Sequence, residues 1–104
     1  MEYLIRITPT ALDDAEEFYL WIFQDSPVNA ANWFNGLFVA INTLTLMPQR
    51  CPTALEQKIV GQELRYLLYL KHYRIIYGIE DNVVIIYHIR HSSQQLMTRE
   101  EFLK

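Results

Sequence analysis

Cysteine is nearly absent from these 104 residues. The single one, Cys51, can form no internal disulfide, and it lies between Pro48 and Pro52 with no His or Asp beside it. A reduced thiol in a cytoplasmic protein is the expectation. Glycine is also scarce, at three residues, and no glycine-rich loop that would cradle a phosphate occurs. Cys/His spacings of a metal site are missing too, so neither a metal nor a cofactor is expected. No stretch approaches the roughly 18 apolar residues of a membrane helix. The opening Met1-Glu2-Tyr3-Leu4-Ile5-Arg6 lacks the basic start and apolar run of a signal peptide. A membrane partner is therefore not expected. Basic excess is lacking as well: the net charge is −3, which argues against strong direct binding to nucleic acid. The charge is uneven, however. Residues 1–49 hold six acids and one base, Arg6, whereas residues 50–104 hold eight bases and six acids and leave room for a local basic patch.

What is present describes an ordinary folded chain. Half the residues are apolar and a fifth are charged, enough for one small domain spanning residues 1–104. Tyr3 to Ile7 reads as a first strand. Thr8-Pro9 offers a capping hydroxyl followed by a proline suited to the first helical turn, and Ser26-Pro27 repeats the signal. The first helix has an apolar stripe of Leu12, Ala15, Tyr19 and Ile22. The second has Ala30, Phe34, Leu37, Ile41 and Leu44, and ends before Pro48. With so short a connection the helices pack as an antiparallel hairpin. A loop over 48–62 precedes strands at about 63–70, 73–80 and 83–90. The fold class is thus α+β: an N-terminal strand, a helix hairpin, then a three-stranded antiparallel meander in a mainly antiparallel sheet. Thr98-x-x-Glu101 is a capping box that opens a short terminal helix.

With Lys71-His72 as the first turn, Leu70 faces Tyr73. Leu64, Tyr66, Leu68, Tyr73, Ile75, Tyr77 and Ile79 then share the helix-facing side with Val83, Ile85, Tyr87 and Ile89. Leu12, Tyr19, Phe34, Ile41, Tyr66, Leu68, Ile75, Tyr77 and Ile85 are expected in the core. The other face carries Arg74 opposite His88 and Tyr69 opposite Arg74. It also carries an aliphatic patch of Leu67, Ile76, Val84 and Ile86, which either the tail (Leu96, Met97, Phe102, Leu103) or a partner should cover. Arg65, Leu67, Tyr69, Arg74, Ile76, Ile86 and Arg90 are the candidate contact residues, with Tyr69 placed to stack on or bond a ligand. The arginines have a plainer alternative, ion pairs with Glu63, Glu100 or Glu101. Arg65, Arg74, His88 and His91 are the candidates for chemistry. Arginine stabilises charge but is a poor proton carrier, while His88 and His91 are the groups suited to proton transfer near neutrality.

These elements meet a set of short motifs: Ala11-x-x-Asp14, Ser26-Pro27-x-x-Ala30, Leu44-x-x-x-Pro48, Gly61-x-x-Leu64-Arg65, Tyr73-Arg74-Ile75-Ile76-Tyr77 and Ile89-x-His91. In this order the chain resembles the RelE/ParE superfamily of bacterial toxins from type II toxin–antitoxin, or plasmid stabilisation, modules, and lies closer to the ParE branch. The resemblance implies a growth-inhibiting toxin neutralised by an antitoxin whose C-terminal segment wraps it. RelE-like members cleave messenger RNA on the ribosome with basic residues of the sheet, and ParE-like members are described as DNA gyrase inhibitors. Arg74 stands at a position shared by both branches. Leu67 stands where RelE-like enzymes place a lysine, with Arg65 at the position of a companion lysine. Ser93 stands near the place of their late arginine. His91-Ser92-Ser93 also departs from the His-Gly pattern common in ParE-like chains. Three functions stay open on these residues: a toxin that binds a target such as gyrase, a ribosome-dependent endoribonuclease with an altered site, and a non-toxic antitoxin-binding remnant. A homodimer and a toxin–antitoxin hetero-oligomer are open as well.

Overall fold

A computed structural model describes residues 2–103. Two hydroxyls set its helical half. Thr8 accepts from the Ala11 N–H at 3.1 Å and starts α1, Pro9–Asp25. Ser26 accepts from the Asn29 N–H at 3.2 Å and starts α2, Pro27–Asn42. Ser26 also donates its own N–H to Ile22 O, closing α1. One residue therefore ends one helix and caps the next, which forces the tight hairpin. Before them lies β1, Leu4–Ile7; after them come two 3-10 turns and a short helix α3, Glu56–Val60. The strands β2, Arg65–Tyr69, β3, Tyr73–Glu80, and β4, Val83–His91, follow, and α4, Arg99–Phe102, closes the chain. The sheet order is β1-β4-β3-β2, with β1 parallel to β4 and the other pairs antiparallel. The sheet is therefore mixed. No helix among the described residues is long and apolar enough to cross a membrane.

The hairpin packs on one face of the sheet through small residues. Ala11 and Ala15 of α1 and Ala30 of α2 are buried and let the helices come close. Phe18 and Ile22 continue the α1 stripe, and Trp33, Leu37 and Ile41 continue that of α2, with Leu44 beyond it. Ala15, Ile22, Ala30, Leu37, Ile41 and Leu44 face inward as expected, whereas at three positions the stripe shifts by one residue, from Leu12 to Ala11, from Tyr19 to Phe18 and from Phe34 to Trp33. Leu12 is 40 % exposed, and Tyr19 and Phe34 are half-buried against each other, with ring centroids 5.3 Å apart. Apolar residues flank both stripes, so spacing alone did not choose between adjacent positions.

The strand register corrects the expected faces. The β2–β3 connection has three residues, and both Leu70 (φ 50°) and Lys71 (φ 68°) take the left-handed backbone that such a loop requires. Tyr69 consequently pairs with Tyr73, not with Arg74. This one-residue change inverts β2: Leu67 and Tyr69 pack toward the helices, and Leu68 is 53 % exposed. Tyr66 is half-buried on the other face. The β3–β4 turn has two residues, Asp81 (φ 54°) and Asn82, and a bulge at Tyr87 moves the pairing along the strand. Arg74 thus lies opposite Arg90, and His88 opposite Ile76. Val84, Ile86 and Ile89 belong to the helix-side core, with Ile85 buried on the other side of its strand. Ile41, Ile75 and Tyr77 are buried as expected, and Arg74 points away from the helices.

The aliphatic patch of Leu67, Ile76, Val84 and Ile86 does not exist as one surface. Ile76 alone lies on the far face, and it is covered by Ala54, Leu64, Met97 and Phe102. The tail is thus a lid made by the chain itself. Its helix α4 carries both arms of the capping box: Thr98 accepts from Glu101 N–H at 3.2 Å, and Glu101 accepts from Thr98 N–H at 2.9 Å.

Candidate functional site

Arg74 and Arg90 lie on the same face as the covered Ile76, whereas the inverted register puts Arg65 on the face of Leu67 and Tyr69, opposite the side expected for it. Arg74 extends from β3 over the Tyr66 ring, 5.8 Å from its centroid. It donates through both terminal nitrogens to Glu56 of α3, at 3.0 Å and 2.7 Å. This fork-to-fork geometry is the strongest form of the pair. Glu56 has no solvent exposure. Burial alone would raise its carboxyl; the Arg74 hydrogen bonds, a backbone N–H and the charges of Arg74 and Arg90 outweigh that and hold it below the ordinary value. The bond to Glu56 in turn raises Arg74 against the effect of burial. Glu56 was missed in the sequence, where the anticipated partners were Glu63, Glu100 and Glu101. The signal available was its isolation: it is the lone acid between Asp25 and Glu63.

The other candidates are engaged too. Arg65 donates to Cys51 O at 2.7 Å and meets the well-exposed Glu63 at 3.3 Å. Arg90 donates to Gln95 O. His88, 3 % exposed, lies between Asp14 Oδ2 and Phe102 O, each 3.1 Å from a ring nitrogen. His91 is on the helix side of the sheet, edge-on to Tyr73 with centroids 4.9 Å apart, and its Nδ1 accepts from the Ser93 N–H at 3.0 Å. Tyr69 donates to Trp33 O at 2.8 Å, within the core and not toward a ligand. It reaches α2 because Gly36 leaves room there; a Cβ at that position would collide with the Tyr69 hydroxyl. Burial, with the neighbouring Tyr73, raises the Tyr69 phenol. The four candidates for chemistry are therefore not gathered around one centre: Arg65 and His88 are tied to their own neighbours, and Arg74 and His91 lie on opposite faces. Among the described residues no cluster of His, Cys, Asp or Glu is arranged to hold a metal ion.

The outer side of the helix hairpin carries part of the exposed apolar surface. A groove of about 430 Å³ there is lined by Glu16, Tyr19, Leu20, Ala31, Phe34 and Asn35. Leu20, Trp21, Val28 and Val39 are all more than half exposed. A signal was present in the sequence: from Ser26 to Gln49 there is not one charged residue, which is unusual for a surface helix.

The sequence matches the family described as the ParE toxin of the type II toxin–antitoxin system parDE, over residues 5–96. The chain belongs to this family. No curated protein matches it in sequence. Solved structures that resemble it include two of toxin–antitoxin systems. The chromosomal ParDE toxin–antitoxin system from P. aeruginosa has 13% identity and a TM-score of 0.69, over 86% of this chain and 96% of that one. The RelBE2 toxin–antitoxin complex from Mycobacterium tuberculosis has 23% identity and a TM-score of 0.58, over 90% and 95%. At these identities the likeness is one of fold. In this ParE-family chain the two positions that depart from the RelE-like pattern are structural: Leu67 packs in the core, and Ser93 hydrogen-bonds His91.

Proposed function

We propose that the chain is the toxin of a type II toxin–antitoxin module, neutralised by a cognate antitoxin, and that it acts by binding a cellular target such as DNA gyrase. One observation supports binding over message cleavage: the Arg74 guanidinium is taken up, through both ends, by a fully buried Glu56. Cleaving a ribonucleotide linkage needs a base, an acid and a cation aimed at the phosphate. Here the central cation is neutralised from within, and each ring nitrogen of the buried histidine faces an oxygen of its own chain.

The hairpin groove supplies the docking surface for the antitoxin. It is apolar, exposed and free of competing charge along α2, which suits the apolar face of an amphipathic helix. Glu16 on its rim would pair with a basic residue of that helix and set its register. The two similar structures named above are of toxin–antitoxin systems, in keeping with this assignment. Two experiments test the reading. Induced expression should arrest growth, and co-production of the antitoxin encoded beside it should relieve the arrest. The purified protein should inhibit supercoiling by gyrase, and antitoxin should restore it. Growth unaffected by induction would refute toxicity, and unhindered gyrase during a growth arrest would exclude that target.

A further inference from the structure

His88 has no part in the function proposed above, yet it is the most deeply buried histidine among the described residues. Its position follows from the end of β1. Past Ile7 the edge of β4 loses its partner strand, and the start of α1 takes over. Thr8 donates its N–H and its hydroxyl to Ile86 O, at 3.1 Å and 2.9 Å, and Asp14 Oδ2 accepts from the Ile89 N–H at 3.0 Å. The bulge at Tyr87 turns His88 into this junction. Its Nδ1 faces the same Asp14 oxygen, and its Nε2 faces the Phe102 carbonyl oxygen of α4. The Phe102 ring packs on the imidazole, with centroids 4.8 Å apart.

Both oxygens are acceptors only. A neutral imidazole has one N–H and satisfies one of them, leaving a lone pair aimed at the other. Both contacts are hydrogen bonds only when the ring carries two protons. We propose that His88 is a protonation-dependent latch that fastens the C-terminal turn: closed when both ring nitrogens are protonated, and weakened when one proton is lost. The turn it fastens contributes Met97 and Phe102 to the cover over Ile76, Ala54 and Leu64, so opening would expose that apolar face. Asp14 from α1 is the charged group at the ring among the described residues. Thr8, Thr10, Gln62, Tyr87 and Leu103 complete its surroundings, and Ile76 is its partner on β3. The turn lies past the residues matched to the family, and the inference rests on this geometry whether or not the chain is toxic.

Hydrogen exchange in the intact protein reads the latch directly. The Phe102 and Leu103 amides donate to Thr98 O and Arg99 O. Their protection, corrected for intrinsic rates, should fall as pH rises from about 5.5 to about 8. The expected drop is roughly tenfold or more, the effect of losing one hydrogen bond to a charged group. In the His88→Gln variant the dependence on pH should vanish. Nitrogen-15 spectra of the wild-type ring should show a doubly protonated imidazole while the turn is protected, an observation that does not depend on any variant folding. Equal protection at both pH values, dependence that survives in His88→Gln, or a neutral ring under a docked turn would each overturn the proposal.

Discussion

Replacing Glu56 with alanine should destabilise the domain by about 3 kcal/mol. Removing one partner of a buried ion pair typically costs roughly 3–5 kcal/mol, because the other charge is left uncompensated. The Arg74 side chain keeps 20 % of its surface in water, which places the expected loss at the low end. In a domain of this size each kcal/mol moves the midpoint by about 4–8 °C, so a fall of more than about 10 °C should be plain in thermal unfolding. Arg74→Ala should cost at least as much, since it strands a carboxylate with no exposure. The double substitution should cost clearly less than the two singles together.

The dependence on pH has a definite sign. Glu56 is held below its ordinary value near 4.5. Its contribution is therefore complete above that value and is lost as pH falls through the lower, folded one. The wild type should lose more stability on acidification than the double variant, in which the pair is absent. A loss under about 1 kcal/mol for Glu56→Ala would show that the pair is peripheral to the fold.

The second large effect concerns the partner. Leu20→Asp should weaken binding of the cognate antitoxin at least about a hundredfold. Leu20 is 60 % exposed in the free chain, so the change should leave folding nearly untouched, as surface substitutions generally do. In the complex it would place a carboxylate, beside Glu16, at the centre of an apolar contact. Truncation of a central anchor costs about 2 kcal/mol or more, and burying an unpaired charge adds to that. At about 1.4 kcal/mol per decade the loss reaches about two decades in Kd. Leu68→Asp on the exposed sheet edge and Arg65→Ala should change binding only about threefold or less. Calorimetry with the antitoxin and these three variants separates the two surfaces. Normal binding by Leu20→Asp with loss in Arg65→Ala would put the partner on the sheet, as the arginines first suggested.

How much was legible follows from how local each signal is. Thr8-Pro9, Ser26-Pro27 and the box from Thr98 to Glu101 each act within one helical turn, and all three appear as capping geometry in the structure. The sheet faces depended on counting residues through two turns that lack glycine. Leu70, Lys71 and Asp81 adopt positive φ without being glycine, so composition did not reveal the loop lengths. A single extra residue in one loop sent Leu67 into the core and Leu68 to solvent. The bulge at Tyr87 left no sequence mark at all. Arg74 was placed on the correct face, yet its partner comes from a loop helix 18 residues earlier, a separation that no local pattern spans. The lesson is clearest at His88: two acceptors from opposite ends of the chain, Asp14 and Phe102, meet on one ring only after the register is set.

Primer extension on translated messages tests most directly the claim that this ParE-family chain poisons by binding and not by cleavage. Cells induced to produce it should show growth arrest without new message ends. Cuts in register with codons, appearing on induction and disappearing when the antitoxin is co-produced, would contradict the account.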